Sequence, residues 1–304
     1  MIGAGAAAAL GPAGLLAQGK LVTRAIPSTG EALPIIGLGS SATFAQVARS
    51  EDVAALRTVL EALIRGGATV FDTAPGYGSS EEVAGRIAAE AKLTDRIFWA
   101  TKLNVARQGG AADPAAARQQ IETSFNRIKK AKIDLIQVHN MGDPKGQLPI
   151  LRELKEKGRI RYYGITTTFE NQYADLIATM KNEPLDFIGV DYAIDNREVE
   201  KTILPLARDR KMGVFIYAPF GRTRLFKRVG DRPLPDWAAE FDAKTWAQFF
   251  LKFAASHPAT TVVTPATSQP KNMLDNIGGG IGRMPDEAMR NRMIAFVDAL
   301  PSAG

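Results

Sequence analysis

The chain has 304 residues, of which 45% are hydrophobic and 23% are charged, as in an ordinary globular protein with a large core. It contains no cysteine and only two histidines, which excludes disulfides and a cysteine nucleophile and argues against a histidine-rich metal site. The formal net charge is +6, but acidic residues are interspersed with the basic ones. This pattern favours a solvated basic surface over nucleic-acid binding and is compatible with an anionic small molecule.

The beginning of the chain differs in composition from the rest. Residues 1–18 are rich in alanine, glycine and leucine and carry no charged side chain, which resembles the apolar core and cleavage region of an export signal. A disordered tail is the alternative. Four glycines and a proline make the segment a poor membrane anchor. We therefore expect residues 1–20 to lie outside the folded domain, with export to the periplasm, or a cytoplasmic location if the segment is not a signal.

From residue 35 onward, short apolar segments alternate with amphipathic segments whose apolar residues are three and four apart. The amphipathic segments predict helices in residues 51–65, 80–91, 114–130 and 196–210. The apolar segments predict strands in residues 35–38, 68–71, 97–100, 134–138, 161–165, 186–190, 213–217 and 261–264. Eight strand–helix units predict a parallel sheet closed into one (β/α)8 barrel domain over residues 21–304. An open doubly wound sheet is the alternative architecture.

Helix boundaries and three additions complete the predicted fold. Ser79 and Glu82 have capping-box spacing, and Asp113 precedes Pro114 as a cap precedes a first-turn proline. Residues 21–34 predict a β-hairpin that caps one end of the barrel. Residues 222–242 form a long connection without periodicity, which is typical of a lid. Residues 286–299 predict a final helix outside the barrel.

Ionisable side chains end consecutive predicted strands. Asp72 ends the second strand, Tyr77 lies in the loop after it, and Lys102 and His139 end the third and fourth. Each has a purely structural interpretation, as a turn cap, a loop aromatic, a solvated strand end or a buried hydrogen-bonding group. However, the carboxyl ends of barrel strands meet at the mouth that holds the active site, so their combination predicts one catalytic site.

These residue types suit proton delivery to a carbonyl oxygen during reduction. A free phenol is a weak acid at neutral pH, a neighbouring ammonium favours the phenolate, and a carboxylate holds the lysine. An imidazole can hydrogen-bond the developing alkoxide. The set contains no strong nucleophile and no evident metal ligand. The hydride must therefore come from a bound cofactor.

Three motifs resemble the aldo-keto reductase superfamily: Asp72-Thr-Ala-Pro-Gly-Tyr77-Gly, Ala100-Thr-Lys102 and Asp134-Leu-Ile-Gln-Val-His139. The resemblance covers residues 26–300 and implies a monomeric barrel enzyme that reduces an aldehyde or ketone with NADPH, with NADH as the alternative. It implies that Tyr77 donates the proton, that Lys102 and Asp72 tune it, and that His139 orients the carbonyl.

The resemblance also implies cofactor contacts. Tyr217 falls where the family stacks an aromatic ring on nicotinamide, with core packing as the alternative. Thr267, Ser268 and Lys271 are expected at a phosphate near a helix start, and Asp275 and Asn276 at the adenine. The other implied contacts are Thr166, Thr167, Pro219, Phe220, Gly221 and Arg222.

The chain departs from the family pattern at three places. Gly189 stands where many members have a glutamine for the carboxamide, and Thr166-Thr167 stands where many have Ser-Asn. Neither Ala266 nor Asn272 supplies the basic residue that often binds the 2′-phosphate. The preference between NADPH and NADH therefore stays open. Two other functions are compatible with the sequence: a nicotinamide-binding redox sensor with little turnover, and a barrel isomerase or lyase that needs no nicotinamide.

Weaker signals receive structural interpretations. Gly37-x-Gly39 resembles part of a dinucleotide fingerprint, but no acidic partner follows at the required distance, so we predict a tight barrel turn. Residues 278–280, all glycine, are interpreted as a flexible link, and His257 as a surface residue. We expect the substrate to be selected by Phe44, Gly76, Trp99 and residues 222–242.

Overall fold

The computed structural model describes residues 19–41, 43–50, 53–106 and 110–301. The predicted export segment, residues 1–18, lies outside the described residues. Across these described ranges, no helix is long and apolar enough to span a bilayer. The same ranges contain no cluster of three or more His, Cys, Asp or Glu side chains that could hold a metal ion.

A β-hairpin covers the end of the barrel at which its strands begin. Strands β1 (Thr23–Ala25) and β2 (Ala32–Pro34) pair antiparallel. Ile26 and Leu33 of the hairpin are buried in an apolar cluster with side chains from the beginnings of the barrel strands, including Val70, Phe98 and Phe187. The predicted cap at one barrel end is therefore confirmed.

Eight parallel strands form the barrel, and each is hydrogen-bonded to the next. They are β3 (Leu38–Gly39), β4 (Val70–Asp72), β5 (Phe98–Leu103), β6 (Ile133–Val138), β7 (Ile160–Thr167), β8 (Phe187–Asp191), β9 (Gly213–Tyr217) and β10 (Val262–Val263). Parallel bridges from Ile36 to Val263 and from Gly39 to Ala266 join the first strand to the last. The predicted (β/α)8 barrel is confirmed.

The two glycines of the Gly37-x-Gly39 motif allow this closure. A Cβ atom on Gly37 would lie 2.9 Å from the carbonyl oxygen of Val70, and one on Gly39 would lie 2.7 Å from that of Thr264. Since both distances are shorter than normal contacts, a side chain at either position would push β3 away from its neighbours. The motif therefore serves close strand packing.

The helices surround the barrel and bury their apolar sides against its outward side chains, such as Phe71, Ile136 and Val214. They are α1 (Thr43–Ala48), α2 (Ala54–Arg65), α3 (Ser80–Glu90), α4 (Pro114–Ile128), α5 (Pro144–Glu156), α6 (Tyr173–Asn182), α7 (Ile203–Asp209), α8 (Arg224–Val229), α9 (Trp246–Ser256), α10 (Pro270–Gly278) and α11 (Glu287–Asp298). Helix α11 is the predicted final helix.

One of the two predicted caps forms. The Asp113 carboxylate accepts a hydrogen bond from the Ala115 backbone N–H at 2.9 Å. Ser79 precedes α3, but its side chain makes no capping hydrogen bond, so the predicted capping box is wrong. Gly158 has φ +70° just after α5, the left-handed conformation in which glycine commonly ends a helix.

The connection over residues 222–242 is more ordered than its sequence predicts. It contains α8 and a 3-10 helix over Asp236–Phe241. The Trp237 ring packs 5.7 Å from the ring centroids of both Phe249 and Phe296. Helices this short do not show a clear 3.6-residue periodicity, so the sequence did not predict them. The role of this connection as a lid stays a prediction.

Two residues expected to select the substrate lie away from the mouth. Phe44 and Trp99 are fully buried, with Phe71 between them at 5.3 Å from each ring. Successive side chains on a strand point to opposite sides. Since Phe98 faces the barrel interior, Trp99 faces the helices. The prediction for these two residues is wrong.

Two further interpretations are also wrong. His257 is half-buried, with its ring packed edge-on at 5.7 Å from Tyr192 and its Nδ1 accepting a hydrogen bond from the Ala259 N–H. The glycines of residues 278–280 provide close packing. A Cβ on Gly279 would lie 2.7 Å from Leu251 Cβ, and one on Gly280 would lie 2.4 Å from Leu21 Cδ1.

Candidate active site

The centre of the barrel mouth is a buried ion pair. Lys102 Nζ donates to Asp72 Oδ2 at 2.7 Å and to the Thr73 carbonyl oxygen at 2.8 Å. The Lys102 and Asp72 side chains are 1% and 4% exposed. Strands β4 and β5 are neighbours with Asp72 opposite Ala100, so Lys102, two residues farther along β5, lies on the same inward side as Ala100.

Tyr77 and His139 complete the group that the sequence predicts. Lys102 Nζ lies 5.2 Å from the centre of the Tyr77 ring. The Tyr77 and His139 rings meet edge to face, with centroids 5.8 Å apart and an interplanar angle of 82°. The structure therefore brings Asp72, Tyr77, Lys102 and His139 together at one mouth of the barrel.

The surroundings of the ion pair determine its charge. Burial disfavours the ammonium of Lys102, but the Asp72 carboxylate and then Tyr77 outweigh burial and raise the pKa of Lys102 above its ordinary value. Burial raises the pKa of Asp72, while the Lys102 charge and hydrogen bonds from Lys102 and Tyr217 act in the opposite direction. Since both oxygens of Asp72 accept from donors, we assign the pair as carboxylate and ammonium at neutral pH.

His139 is a neutral imidazole in this site. Burial and then the positive charge of Lys102 lower the pKa of His139 to about 3. A neutral imidazole donates one N–H hydrogen bond and carries no charge. His139 can therefore orient a carbonyl oxygen by hydrogen bonding at neutral pH.

Tyr217 and Gln137 extend the hydrogen-bond network around Asp72. The Tyr217 hydroxyl donates to Asp72 Oδ1 at 3.3 Å and accepts from Gln137 Nε2 at 3.0 Å. Lys102 Nζ lies 5.2 Å from the Tyr217 ring centre. Gln137 is not among the residues that we predicted for the site. Its signal was an amide two residues before His139 and two residues after the inward-facing Leu135, and therefore on the inward side of β6.

The glycine at position 189 has a steric cause. A Cβ atom on Gly189 would lie 2.4 Å from Tyr217 Cε2 and 2.7 Å from the Tyr217 hydroxyl oxygen. No side chain fits there while the ring holds this position. Glycine in place of the family's glutamine therefore leaves the room that the inward-facing Tyr217 ring occupies.

The end of β7 and the loop after β9 carry other residues with implied cofactor contacts. Thr166 Oγ1 accepts from the Asn140 N–H at 3.1 Å, and Thr167 Oγ1 donates to Gln172 Oε1 at 2.5 Å. Arg222 Nη2 donates to Thr168 Oγ1 at 3.0 Å and joins the two loops. After β9, left-handed φ angles occur at Ala218 (48°), Gly221 (57°), Arg222 (53°) and Thr223 (79°). For the three residues other than glycine this conformation is strained, and such strain is concentrated at functional sites.

The start of α10 holds the last implied contacts. Thr267 and Ser268 are buried and Lys271 is exposed. The Asp275 carboxylate accepts hydrogen bonds from Thr245 Oγ1 at 3.0 Å and from Gln248 Nε2 at 2.8 Å. The next residue, Asn276, is buried. Asp275 thus joins α10 to α9 in this structure, and its contact with an adenine stays a prediction.

Unpaired polar atoms at the mouth fit a bound polar molecule. Within the described ranges, buried side-chain atoms near the strand ends that have no hydrogen-bond partner include Ser40 Oγ, Thr73 Oγ1 and His139 Nδ1. Buried polar atoms in proteins are normally paired. A nicotinamide and a carbonyl substrate carry the donors and acceptors that such atoms require.

The barrel with this buried group at its mouth defines a class of enzyme, and the comparisons with known proteins agree. The model of the aldo/keto reductase family matches residues 35–291. The chain therefore belongs to the aldo/keto reductase family. It is 30% identical over 207 residues to aldo-keto reductase YhdN of Bacillus subtilis, an alignment covering 65% of this chain and 61% of that protein. The chain thus spans about three-fifths of this curated relative.

Solved structures share the fold at lower identity. The holo form of aldo-keto reductase AKR11C1 from Bacillus halodurans is 22% identical with a TM-score of 0.71, covering 91% of this chain and 96% of that one. An aldo-keto reductase from Klebsiella pneumoniae in complex with NADPH is 21% identical with a TM-score of 0.72, covering 92% of this chain and 95% of that one.

Proposed function

We propose that the protein is an NADPH-dependent reductase that converts an aldehyde or ketone to the alcohol. The observation that carries this proposal is the buried Lys102–Asp72 pair, which lies beside Tyr77 and the neutral His139 at the barrel mouth. Family membership and the NADPH complex of the Klebsiella pneumoniae relative support it.

Each of these side chains has a role in moving or holding a proton. A bound nicotinamide supplies the hydride to the carbonyl carbon. Tyr77 gives its phenolic proton to the carbonyl oxygen, and the Lys102 ammonium stabilises the phenolate that remains. Asp72 holds Lys102 in place. His139 donates a hydrogen bond to the same oxygen and orients it.

The cofactor contacts are part of the proposal. Tyr217 and residues 219–222 contact the nicotinamide half, with Thr166 and Thr167 nearby. Thr267, Ser268 and Lys271 at the start of α10 contact phosphate, which favours helix N-termini and cations. We propose NADPH because of the relative's complex, with NADH as the alternative. A monomer is sufficient, since one chain supplies all the catalytic side chains.

Replacing Tyr77 with phenylalanine tests the chemistry. We expect turnover to fall by about 10²–10⁴-fold because the proton donor is lost, while NADPH affinity and melting temperature change little. Steady-state reduction of an aldehyde panel and fluorescence titration with NADPH measure the two effects. Tyr163→Phe is the matched control, because the Tyr163 hydroxyl donates to the Pro184 carbonyl oxygen, away from the mouth. Normal reduction by Tyr77→Phe would refute the assignment.

Titration of the wild-type protein separates the proposed functions. Comparing NADPH with NADH establishes the cofactor preference. Tight NADPH binding without turnover across aldehydes and ketones would favour the redox sensor. Absence of dinucleotide binding would favour an isomerase or lyase.

A further inference from the structure

Gln137 occupies a central place in the barrel interior. Strand register sets it opposite Lys102 on β5 and opposite Gly164 on β7. It is fully buried. Its amide reaches across the barrel interior to Tyr217 on β9, with Nε2 3.0 Å from the Tyr217 hydroxyl oxygen. The Gln137 side chain thus joins strands that are not neighbours in the sheet.

The direction of each hydrogen bond in this network follows from the atoms involved. A side-chain amide nitrogen only donates, so the Tyr217 hydroxyl accepts from Gln137 Nε2. The hydroxyl has a single proton, which is then left for Asp72 Oδ1. Burial and then the Asp72 charge raise the pKa of Tyr217 well above its ordinary value, so this proton stays on the oxygen. Asp72 therefore has a donor on each carboxylate oxygen, Lys102 on one and Tyr217 on the other.

The amide of Gln137 has an energetic disadvantage that indicates a role. Its Oε1 is buried without a hydrogen-bond partner within the described ranges, an arrangement that destabilises a protein. An apolar side chain such as leucine would avoid this cost. The contact that the amide does make, with Tyr217, is then the reason for its presence.

We propose that Gln137 is a positioning residue for the active site, which directs the Tyr217 hydroxyl onto Asp72 and so holds Asp72 against Lys102. The inference rests on the proposed reductase function, because the role of Lys102 is to stabilise the Tyr77 phenolate. Gly189 supports the same arrangement by leaving room for the ring.

Loss of the amide has a defined effect on the charges of the site. The groups that face this centre are Lys102 from β5, Tyr217 from β9, Tyr77 from the loop after β4, and His139 from the end of β6. Without Gln137 Nε2 the Tyr217 hydroxyl oxygen loses the donor that fixes its position, and its hydrogen bond to Asp72 Oδ1 becomes weaker. The pKa of Asp72 then rises, because the carboxylate has lost support from a donor. The pKa of Lys102 falls, because a carboxylate that is no longer held against it stabilises the ammonium less. The pH range of activity therefore narrows from both sides.

The test measures kcat and KM against pH for the wild type, Gln137→Leu, Tyr217→Phe and the double variant. We expect Gln137→Leu to lower kcat at neutral pH by about tenfold, the effect of one hydrogen bond to a charged network. Its acid limb moves to higher pH and its alkaline limb to lower pH. In the Tyr217→Phe background, Gln137→Leu moves neither limb further. Thr260→Val is the control, since it removes a buried hydrogen bond to the Ala254 carbonyl oxygen at the opposite end of the barrel, and its limbs stay in place.

Several results would overturn the proposal. A uniform loss of activity at all pH values, an equal shift in the Tyr217→Phe background, or the same shift in Thr260→Val would each do so. Melting temperatures of the four proteins give a readout independent of activity. If the wild type reduces no carbonyl, the proposed function is wrong. The melting temperatures still test the contact in that case. If the changes caused by Gln137→Leu and Tyr217→Phe do not add in the double variant, the Gln137–Tyr217 coupling is supported, and if they add, it is overturned.

Discussion

At the scale of single residues, the site depends on a lysine that is buried and still charged. Removing an ammonium from water is costly, and a close carboxylate with additional hydrogen bonds compensates for that cost. Lys102 has both, from Asp72 and from the Thr73 carbonyl oxygen. Asp72 is held in turn by Tyr217. The charge of Lys102 is therefore maintained by Asp72 and the Thr73 carbonyl oxygen, and indirectly by Tyr217.

Gly189→Ala tests the steric basis of this arrangement. The new methyl group would lie 2.4 Å from Tyr217 Cε2, so the ring must move and its hydroxyl must leave Asp72 and Gln137. We expect a loss of about 1–3 kcal/mol in unfolding free energy, as in other overpacked interiors, and weaker NADPH binding. Chemical denaturation and fluorescence titration measure these effects. In a Tyr217→Leu background the Cε2 and hydroxyl atoms are absent, so an equal loss there would contradict the steric explanation.

At the scale of elements, the N-terminal hairpin and the catalytic mouth lie at opposite ends of the barrel. Glu31 of the hairpin accepts from the Tyr162 hydroxyl at 2.6 Å and forms an ion pair with Arg161. Arg161 also bonds Asp134 at 2.9 Å. These contacts attach the hairpin to the beginning of β7. The hairpin is therefore expected to stabilise the barrel without contacting the proposed catalytic residues.

Glu31→Ala tests this separation of roles. We expect a loss of about 1 kcal/mol in unfolding free energy, because a half-exposed ion pair and one charged hydrogen bond are removed. Turnover per folded molecule should stay unchanged. Thermal and chemical denaturation measure the first effect and steady-state kinetics the second. Glu156→Ala on α5 is the control, since Glu156 is exposed; an equal loss in both variants would contradict the role of Glu31.

At the scale of the whole molecule, the C-terminal helix closes the outside of the barrel. Arg290 of α11 donates to Glu200 Oε1 at 2.8 Å and to the Tyr192 hydroxyl at 2.5 Å. Its guanidinium stacks 4.2 Å from the centre of the Phe253 ring on α9. His257 follows α9 and packs on the same tyrosine. Helices α9 and α11 and the loop after β8 thus share one buried polar cluster.

Both histidines couple the stability of the molecule to pH. Burial, followed by nearby positive charge, lowers the pKa of His139 to about 3 and that of His257 to about 4. An unfolded histidine has a pKa of about 6.5. Because the folded values are lower, the stabilisation is complete above the unfolded value and is lost as pH falls towards the folded values.

We therefore expect the melting temperature to fall as the pH is lowered from about 6.5 to 4, the interval in which only the unfolded chain gains protons on both histidines. His257→Gln should show a shallower fall, whatever its melting temperature at neutral pH. Scanning calorimetry across this pH interval measures the slope. Parallel curves for the variant and the wild type would show that His257 does not titrate in the expected way.

Much of the fold and of the candidate site follows from local sequence. Apolar segments with an ionisable residue at the end are recognisable because strand periodicity and burial are local properties. Because side chains alternate along a strand, Gln137 and His139 share one side of β6. By the same rule Trp99 and Lys102, three residues apart on β5, face opposite sides. Our error at Trp99 came from not applying that alternation. Short helices such as α8 were missed because they do not show a clear period.

The sequence alone was sufficient for the barrel class and for bringing Asp72, Tyr77, Lys102 and His139 to one mouth. Asp72, Lys102 and His139 are marked by their positions at or directly after strand ends, and Tyr77 by its place in the loop after β4. Only the closed barrel shows that Tyr217 forms hydrogen bonds with Gln137 and with the carboxylate of Asp72, which lies 145 residues earlier in the chain. It also shows why position 189 is glycine. Contacts across the interior depend on strand register and closure, which bring together residues with no local relation in the chain.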